Sequence, residues 1–223
     1  MKYNENGRSM VEMLGVLAII GVLSVGGIAG YSKAMNKYKI NKTTDQVSML
    51  VANLRTLFSS QGNYAGLTNA QAKKFGVVPN DMYTSVSGDS IKNAFGGAVT
   101  IAAAKARTAD GSADKPGKEA FIIEYAGLSS EACVTVATGD WGSGQASGLI
   151  AIAAGTSGSL SDALKDVVID PATDDAVEAD AGLVVGKPGN TTVPTPISVT
   201  NAVKACDGED NAGSGYGVAW KYY

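Results

Sequence analysis

The sequence predicts an α+β protein: a long N-terminal α-helix followed by a globular C-terminal domain with a mainly antiparallel sheet. The first supporting observation is an uncharged run from Met13 to Ser32, which is long enough to cross a bilayer as a helix. The second is an apolar helical period that continues beyond this run without a proline. The third is an alternation of short strand-like and helix-like segments after Phe58.

The predicted helix runs from about Ser9 to Ser60, which at helical rise gives about 75 Å, more than twice the hydrocarbon thickness of a membrane. Its back half is amphipathic and is therefore expected to pack on the domain. The apolar positions that carry this period are Val47, Leu50, Val51, Leu54, Leu57 and Phe58.

Glycine is frequent in the apolar front half of the predicted helix, although each glycine costs about 1 kcal/mol relative to alanine. The glycines indicate either close packing against other helices or local unwinding. The alternative is the ordinary tolerance of membrane helices for glycine. The positions are Gly15, Gly21, Gly26, Gly27 and Gly30.

After Phe58 the chain reads as short elements separated by turns. Thr68 and Gln71 resemble a capping box that opens a short helix, and Gly76 to Pro79 ends it. The predicted strands are Ala98 to Ala103, Ala120 to Ala126, Leu149 to Ala153, Leu183 to Val185 and Tyr216 to Tyr223. The further predicted helices are Ser130 to Thr138, Ser161 to Val168 and Thr200 to Cys206.

Two stretches rich in glycine and acidic residues, Gly139 to Gly148 and Asp170 to Asp180, are predicted to be surface loops. The acidic side chains of the second do not match the EF-hand spacing, so a solvated loop is favoured over a calcium site. Trp141 in the first is expected to anchor its own loop rather than to stack on a sugar. No metal or cofactor is predicted.

Composition argues against an enzyme and against a nucleic-acid partner. The chain of 223 residues has no histidine, which removes the commonest general base and every Ser-His-Asp, Cys-His or His-metal arrangement. Its net charge of -3 and the lack of a basic cluster on an aromatic-rich element disfavour nucleic-acid binding. No catalytic residue is predicted.

The two cysteines, Cys133 and Cys206, lie far apart and do not have the CxxC spacing of zinc or redox motifs. A single long-range disulfide is the simplest use, and it implies an oxidising compartment outside the cytoplasm. A pair of buried free thiols is the alternative at this point.

One carboxylate, Glu12, stands at the front edge of the apolar run, without a basic residue at i+3 or i+4. An ionised side chain in a membrane-spanning segment costs free energy to insert into the bilayer, so its presence normally marks a functional role. The short leader ending in Gly7, Glu12 five residues beyond it and the apolar run resemble the class III signal of type IV prepilins. The resemblance implies cleavage between Gly7 and Arg8, N-methylation of Arg8, and pairing of Glu12 with the freed amine of a neighbouring copy.

The domain resembles the type IVb pilins of toxin-coregulated pilus type. The segments that carry this resemblance are Gly62-Asn-Tyr, Gly76-Val-Val-Pro-Asn-Asp-Met, Asn93-Ala-Phe-Gly-Gly, Ala120-Phe-Ile-Ile-Glu, Leu128-Ser-Ser-Glu-Ala-Cys133 and Val203-Lys-Ala-Cys206. It implies the type IV pilin fold and a disulfide between Cys133 and Cys206. Residues 1–7 are then a prepilin leader, 8–60 the long helix with a transmembrane and polymerisation segment at 8–35, and 61–223 the head domain.

The resemblance implies a major pilin, polymerised into a helical filament for adhesion, aggregation or motility. The expected partners are further copies of the chain, prepilin peptidase, the pilus assembly machinery and the inner membrane. The head is expected in the periplasm first and then in an extracellular pilus. A minor pilin or type II secretion pseudopilin is the first alternative, and a binding module or enzyme with a signal peptide cleaved after Ala29 is the second.

Lysines flank the apolar run more heavily on its C-terminal side, where Lys33, Lys37, Lys39 and Lys42 follow it. By the positive-inside rule this distribution favours a cytoplasmic head. The cysteine pair and the prepilin resemblance favour an external head instead. In a filament, these lysines are expected to pair with acidic loops of neighbouring subunits.

Overall fold

The chain divides into two compact units, Met1–Lys39 and Ile40–Tyr223, which we call the N-terminal unit and the head unit. The computed structural model describes residues 10–84, 89–106, 119–142, 147–169, 176–180, 182–207 and 215–223. The predicted boundaries of leader, long helix and head stay predictions.

The first helix, α1, spans Met10–Phe58, which confirms a single long helix over the described part of the predicted range. No proline interrupts it, and Glu12 in the first turn and Arg55 in the last complement the helix dipole. Within the head unit, the apolar period of α1 faces the interior, as predicted. Its buried residues there are Ile40, Thr43, Gln46, Val47, Leu50, Val51, Leu54 and Phe58.

In the described part of the head, seven antiparallel strands form one sheet in the order β1-β2-β3-β7-β4-β6-β5. The strands are β1 Ile91–Lys92, β2 Ala98–Ala104, β3 Ala120–Leu128, β4 Leu149–Thr156, β5 Val177–Asp180, β6 Leu183–Gly186 and β7 Tyr216–Tyr222. The last strand, β7, therefore lies in the middle of the sheet, where it pairs with β3 on one side and with β4 on the other.

Short helices cover both faces of the sheet: α2 Asn69–Lys74, α3 Ser130–Ala137, α4 Leu160–Lys165 and α5 Val199–Cys206. One face shares a core with α3, α5 and the head part of α1, and Phe121, Ile123 and Trp220 are among its buried residues. The opposite face packs on α4 through a smaller cluster that includes Ile122 and Leu164. Because both faces are covered, β3 and β7 are buried along nearly their whole length.

The motif Asn93-Ala-Phe-Gly-Gly forms the turn between β1 and β2. The side-chain oxygen of Asn93 accepts hydrogen bonds from the backbone N–H groups of Phe95 and Gly97, and its amide donates to the Ala126 carbonyl at 2.8 Å. A Cβ atom on Gly97 would lie 1.8 Å from that carbonyl oxygen, so this position requires glycine.

Two buried charges hold the ends of α4. At its N-terminal end, the Glu124 carboxylate on β3 accepts hydrogen bonds from the N–H groups of Gly158 and Ser161, each at 2.9 Å. At its C-terminal end, Lys221 on β7 donates to the carbonyls of Leu164, Lys165 and Val167 at 2.7 to 2.9 Å. An anion at the N-terminus and a cation at the C-terminus both complement the helix dipole.

The hydrogen bonds from Lys221 explain why α4 ends at Lys165 and not at the predicted Val168. The Lys221 ammonium binds the final carbonyls in place of further helical N–H groups. The apolar period from Leu160 to Val168 continues in the sequence, but Val167 and Val168 are buried after the helix has ended. The predicted C-terminal boundary was therefore wrong.

The predicted loop Asp170 to Asp180 is also partly wrong, because Val177–Asp180 forms strand β5 at the edge of the sheet. An edge strand needs only one paired neighbour and tolerates acidic, exposed residues such as Glu178. Polar composition therefore concealed a strand that the pairing with β6 stabilises. Residues 170–175 of this stretch, which include the acidic Asp174 and Asp175, lie outside the described residues.

We expect Lys221→Met to lower the free energy of unfolding by about 3 kcal/mol or more, because three buried carbonyls lose their donor. Chemical denaturation of the detergent-solubilised full chain, followed by near-UV circular dichroism, measures this change. Lys165→Met, an exposed lysine on α4 itself, is the matched control and should change stability by less than about 0.5 kcal/mol. Equal, small decreases in the free energy of unfolding of both variants would contradict the stabilising role of Lys221.

Candidate polymerisation segment and disulfide region

The N-terminal unit presents its apolar side chains to the outside. Leu14, Leu23 and Ile28 are 62%, 69% and 69% exposed, and no residue of the most apolar 18-residue window is buried. Within the described residues, α1 is the one helix long and apolar enough to cross a membrane, by length and composition, and its most apolar 18-residue window has a mean hydropathy of 2.2. Because water solvates such a surface poorly, lipid or other protein must cover it.

The five glycines of this segment have no packing role within the described chain. Apart from its chain neighbours and the nearby backbone of the helix itself, a Cβ atom built on any of the five meets no atom of the described chain within 4 Å; the five are Gly15, Gly21, Gly26, Gly27 and Gly30. Close helix packing, local unwinding and the ordinary tolerance of glycine in membrane helices all stay predictions for these positions.

Glu12 lies in the first turn of α1 and is exposed. At that position the helix dipole favours a carboxylate. Its predicted partner Arg8 and the predicted cleavage residue Gly7 lie outside the described residues. Their roles therefore stay predictions, as does the intersubunit role of Glu12.

Within the head unit, an ionic contact fixes α1 to the turn Asn80–Met82. Lys42 lies 2.8 Å from the Asp81 carboxylate, which also accepts a hydrogen bond from Gln46 at 3.0 Å. The hydrogen bond from Lys42 lowers the pKa of Asp81; burial opposes this shift and the Gln46 hydrogen bond adds to it. Lys42 thus has an ion pair within the head unit, and its pairing with a neighbouring subunit stays a prediction.

A second side-chain contact anchors the same region, where Asn53 on α1 donates to the Val77 carbonyl at 2.9 Å. Gly76 adopts a positive φ of 69° just after α2, and its N–H binds the Lys73 carbonyl, so the segment Gly76 to Pro79 ends that helix as predicted. The Thr68 hydroxyl accepts from the Gln71 N–H, which confirms the N-terminal cap.

Cys133 on α3 and Cys206 on α5 form a disulfide, which resolves the choice left open by the sequence. Their Cα atoms lie 6.0 Å apart and both residues are fully buried against the sheet. The bridge spans 73 residues and encloses β4, α4, β5 and β6. In the chain-entropy model a loop of this size stabilises the fold by roughly 4 kcal/mol.

Trp141 anchors its own loop, as predicted. Its indole N–H donates to the Val136 carbonyl at 2.7 Å, and its ring packs edge-on against Trp220 at 4.8 Å between centroids. The buried Tyr222 hydroxyl donates to the Trp141 carbonyl, and burial raises the pKa of Tyr222 to about 12, with a smaller lowering by Arg55. The tyrosine therefore remains neutral and structural at physiological pH.

Sequence reasoning missed Glu124, Lys221 and Asp81. The available signal was a single charge inside an apolar strand, as in Ile-Ile-Glu124-Tyr and in Trp-Lys221-Tyr, because a buried charge needs specific partners. The identity of those partners depends on elements far away in sequence. Among the described residues, no group of His, Cys, Asp or Glu side chains has the arrangement of a metal site.

A long helix with an exposed apolar front half, an antiparallel sheet and a disulfide in the C-terminal half together define the class of type IV pilins. The chain belongs to the PilS N-terminal family, whose model matches residues 37–213, and with it to the type IVb pilins. This confirms the predicted family and fold class. Proteins of this family and fold are structural, in agreement with the prediction of a non-enzymatic protein.

Two relatives are each 26% identical to this chain. The major structural subunit of the bundle-forming pilus of Escherichia coli matches over 137 residues, 61% of this chain and 66% of that protein. The toxin coregulated pilin of Vibrio cholerae matches over 139 residues, 61% of this chain and 58% of that protein. The chain thus matches less than two thirds of the length of either relative.

The crystal structure of TcpA, a type IV pilin from Vibrio cholerae El Tor, has the same fold. It superposes with a TM-score of 0.51 at 20% identity, covering 83% of this chain and 99% of that one. At this identity the similarity concerns the fold alone, and it agrees with the long helix and the antiparallel sheet described above.

Asp81 makes the stability of the head unit depend on pH. Because the pKa of Asp81 is lower in the folded state than in the unfolded chain, its contribution is present above the unfolded pKa of about 4 and is lost as pH falls through the folded pKa. Thermal unfolding between about pH 5 and pH 2 should therefore lose stability less steeply in Asp81→Asn than in the parent chain.

Asp89→Asn removes the same charge at an exposed position on the same domain and serves as the control for this titration. It should retain the steep acid loss of the parent chain. If the two variants followed the same curve, the Lys42–Asp81 contact would not contribute to stability.

Proposed function

We propose that this protein is the structural subunit of a type IV pilus, a pilin that polymerises with further copies of itself into a helical filament. The observation that carries this proposal is the N-terminal unit, whose apolar side chains are exposed over more than 20 Å of helix. A surface of this kind on every copy provides the repeated contacts of a filament. The names of the relatives, both pilus subunits, support the same role.

The proposed route begins in the inner membrane, with the apolar segment of α1 in the bilayer and the head in the periplasm. Prepilin peptidase removes residues 1–7 by cleavage between Gly7 and Arg8, and the new amine of Arg8 is methylated. The assembly machinery then extracts the subunit into an extracellular pilus. The disulfide supports a head outside the cytoplasm, because such bonds persist in oxidising compartments.

Glu12 is assigned the role of register pairing between subunits. In a bundle of apolar helices, its carboxylate binds the positive N-terminal amine of Arg8 of a neighbouring copy. A charge in this low-dielectric environment is stable only when it is paired, so a subunit out of register is disfavoured. Residues 8–35 form the polymerisation segment in this proposal, and residues 61–223, with the back of α1, form the head.

Mass spectrometry of the mature N-terminus tests the processing step directly. We expect a chain that begins at Arg8 and carries one added methyl group. A chain that begins at Gly30 would show cleavage by ordinary signal peptidase after Ala29 and would overturn the pilin proposal in favour of a secreted module. The abundance of the processed chain in purified filaments separates a major pilin from a minor pilin or pseudopilin.

We expect Glu12→Gln to be processed and membrane-stable but to reduce filament yield at least tenfold, because the neighbouring amine loses its counter-charge at a cost of about 3 kcal/mol or more. Electron microscopy and quantification of sheared pili measure the yield. Asp45→Asn removes one exposed carboxylate from the same helix outside the apolar segment, and it should retain filaments. A parental yield from Glu12→Gln would contradict register pairing.

A further inference from the structure

The segment that follows the apolar run is basic over several helical turns. No Asp or Glu occurs between Glu12 and Asp45, whereas this interval contains Lys33, Lys37, Lys39 and Lys42. Lys42 is bound by Asp81 within the head unit. Lys33 and Lys37 belong to the N-terminal unit, are exposed, and have no ion pair with any residue in the described ranges.

The position of these two lysines relative to the apolar run is set by helix geometry. The run from Met13 to Ser32 has about 20 residues and measures roughly 30 Å, the thickness of the hydrocarbon core. When it fills that core, Lys33 and Lys37 emerge in the headgroup layer at the C-terminal end of the run. Ser32 ends the run, its hydroxyl donates a hydrogen bond to the Ile28 carbonyl at 3.0 Å, and the helix continues beyond it.

Two tyrosines flank the two lysines along the helix, one before Lys33 and one after Lys37. Tyr31 and Tyr38 are 68% and 58% exposed, and they lie two helical turns apart on a different side of α1 from the pair Lys33 and Lys37. Tyrosine is enriched at membrane interfaces, where its ring lies among the acyl chains and its hydroxyl reaches water. We call Tyr31, Lys33, Lys37 and Tyr38 the interfacial ring.

We propose that the interfacial ring binds the phosphates of anionic phospholipid headgroups in the outer leaflet of the membrane that holds the subunit before assembly. This inference rests on the proposed membrane stage. Charge complementarity and depth both favour this occupant: the two ammonium groups meet the headgroup layer, and the adjoining 18-residue apolar window has no buried residue. Binding at the interface also reconciles the lysines with an external head, because lipid phosphates neutralise them there.

Acidic loops of a neighbouring subunit are the competing occupant for Lys33 and Lys37. They become available only in the filament, whereas headgroups surround the ring from the moment of insertion. Lipid binding also holds the apolar run at a fixed depth, with Glu12 at the opposite edge of the core. Extraction into a filament then requires these headgroups to be released.

The test uses the full chain reconstituted into vesicles of phosphatidylethanolamine with a minor fraction of phosphatidylglycerol. Flotation first establishes that the chain is inserted. Electron paramagnetic resonance with spin-labelled phosphatidylglycerol or phosphatidylcholine then gives the relative association of each lipid with the protein. We expect the parent chain to prefer phosphatidylglycerol over phosphatidylcholine and this preference to weaken at high salt. In the double variant Lys33→Gln/Lys37→Gln the preference should fall, by up to about fivefold for each of the two lysines replaced.

Two matched variants make the result specific. Lys74→Gln/Lys204→Gln removes the same charge from exposed positions on the head and should keep the preference, and Lys33→Arg/Lys37→Arg should keep it too. An unchanged preference in Lys33→Gln/Lys37→Gln would overturn the inference and leave the proposed function intact. Loss of filaments with unchanged lipid preference would assign the lysines to a neighbouring subunit instead. A chain that fails to float with vesicles would overturn the membrane stage itself.

Discussion

The burial of apolar surface divides the long helix into two parts, one buried in the core of the head unit and one exposed. From Ile40 to Phe58 the apolar stripe of α1 is buried in the same closed core as the sheet residues of the head unit. From Met10 to Ser32 the apolar side chains surround the whole helix, and no other part of the described chain covers them. The first part therefore defines a folded domain, and the second defines a requirement for an external environment, which is lipid or identical helices.

Inside the head, the sheet determines where polar groups are admitted. Glu124 and Lys221 sit on neighbouring central strands and point to the face that carries α4, so each charge finds several partners on that helix. A buried charge with fewer partners would be strongly destabilising. The disulfide has a comparable role on the opposite face, where it links α3 to α5 within the core. Each face thus has specific connections in addition to hydrophobic contact.

Much of this architecture could be predicted from local sequence. The helix α1 follows from uninterrupted periodicity, the strands β2, β3 and β4 follow from short runs rich in alanine and β-branched residues, and β7 follows from a short run rich in aromatic residues. The end of α4 and the strand β5 could not, since the first depends on Lys221 more than 50 residues later and the second on its pairing with β6. Glu12 was recognisable because a carboxylate beside a membrane-length run is rare, whereas the partners of Asp81 depend on tertiary structure.

The central place of β7 has a consequence for the order in which the protein matures. Before residues 216–222 have been synthesised, β3 and β4 each lack their neighbour, and the sheet exists at most as two fragments with unpaired edges. The core also lacks Trp220, and α4 lacks the cation at its C-terminus. A nascent or truncated chain therefore remains recognisable to proteases and chaperones, and only a chain translated through Tyr222 presents the cell with a finished head.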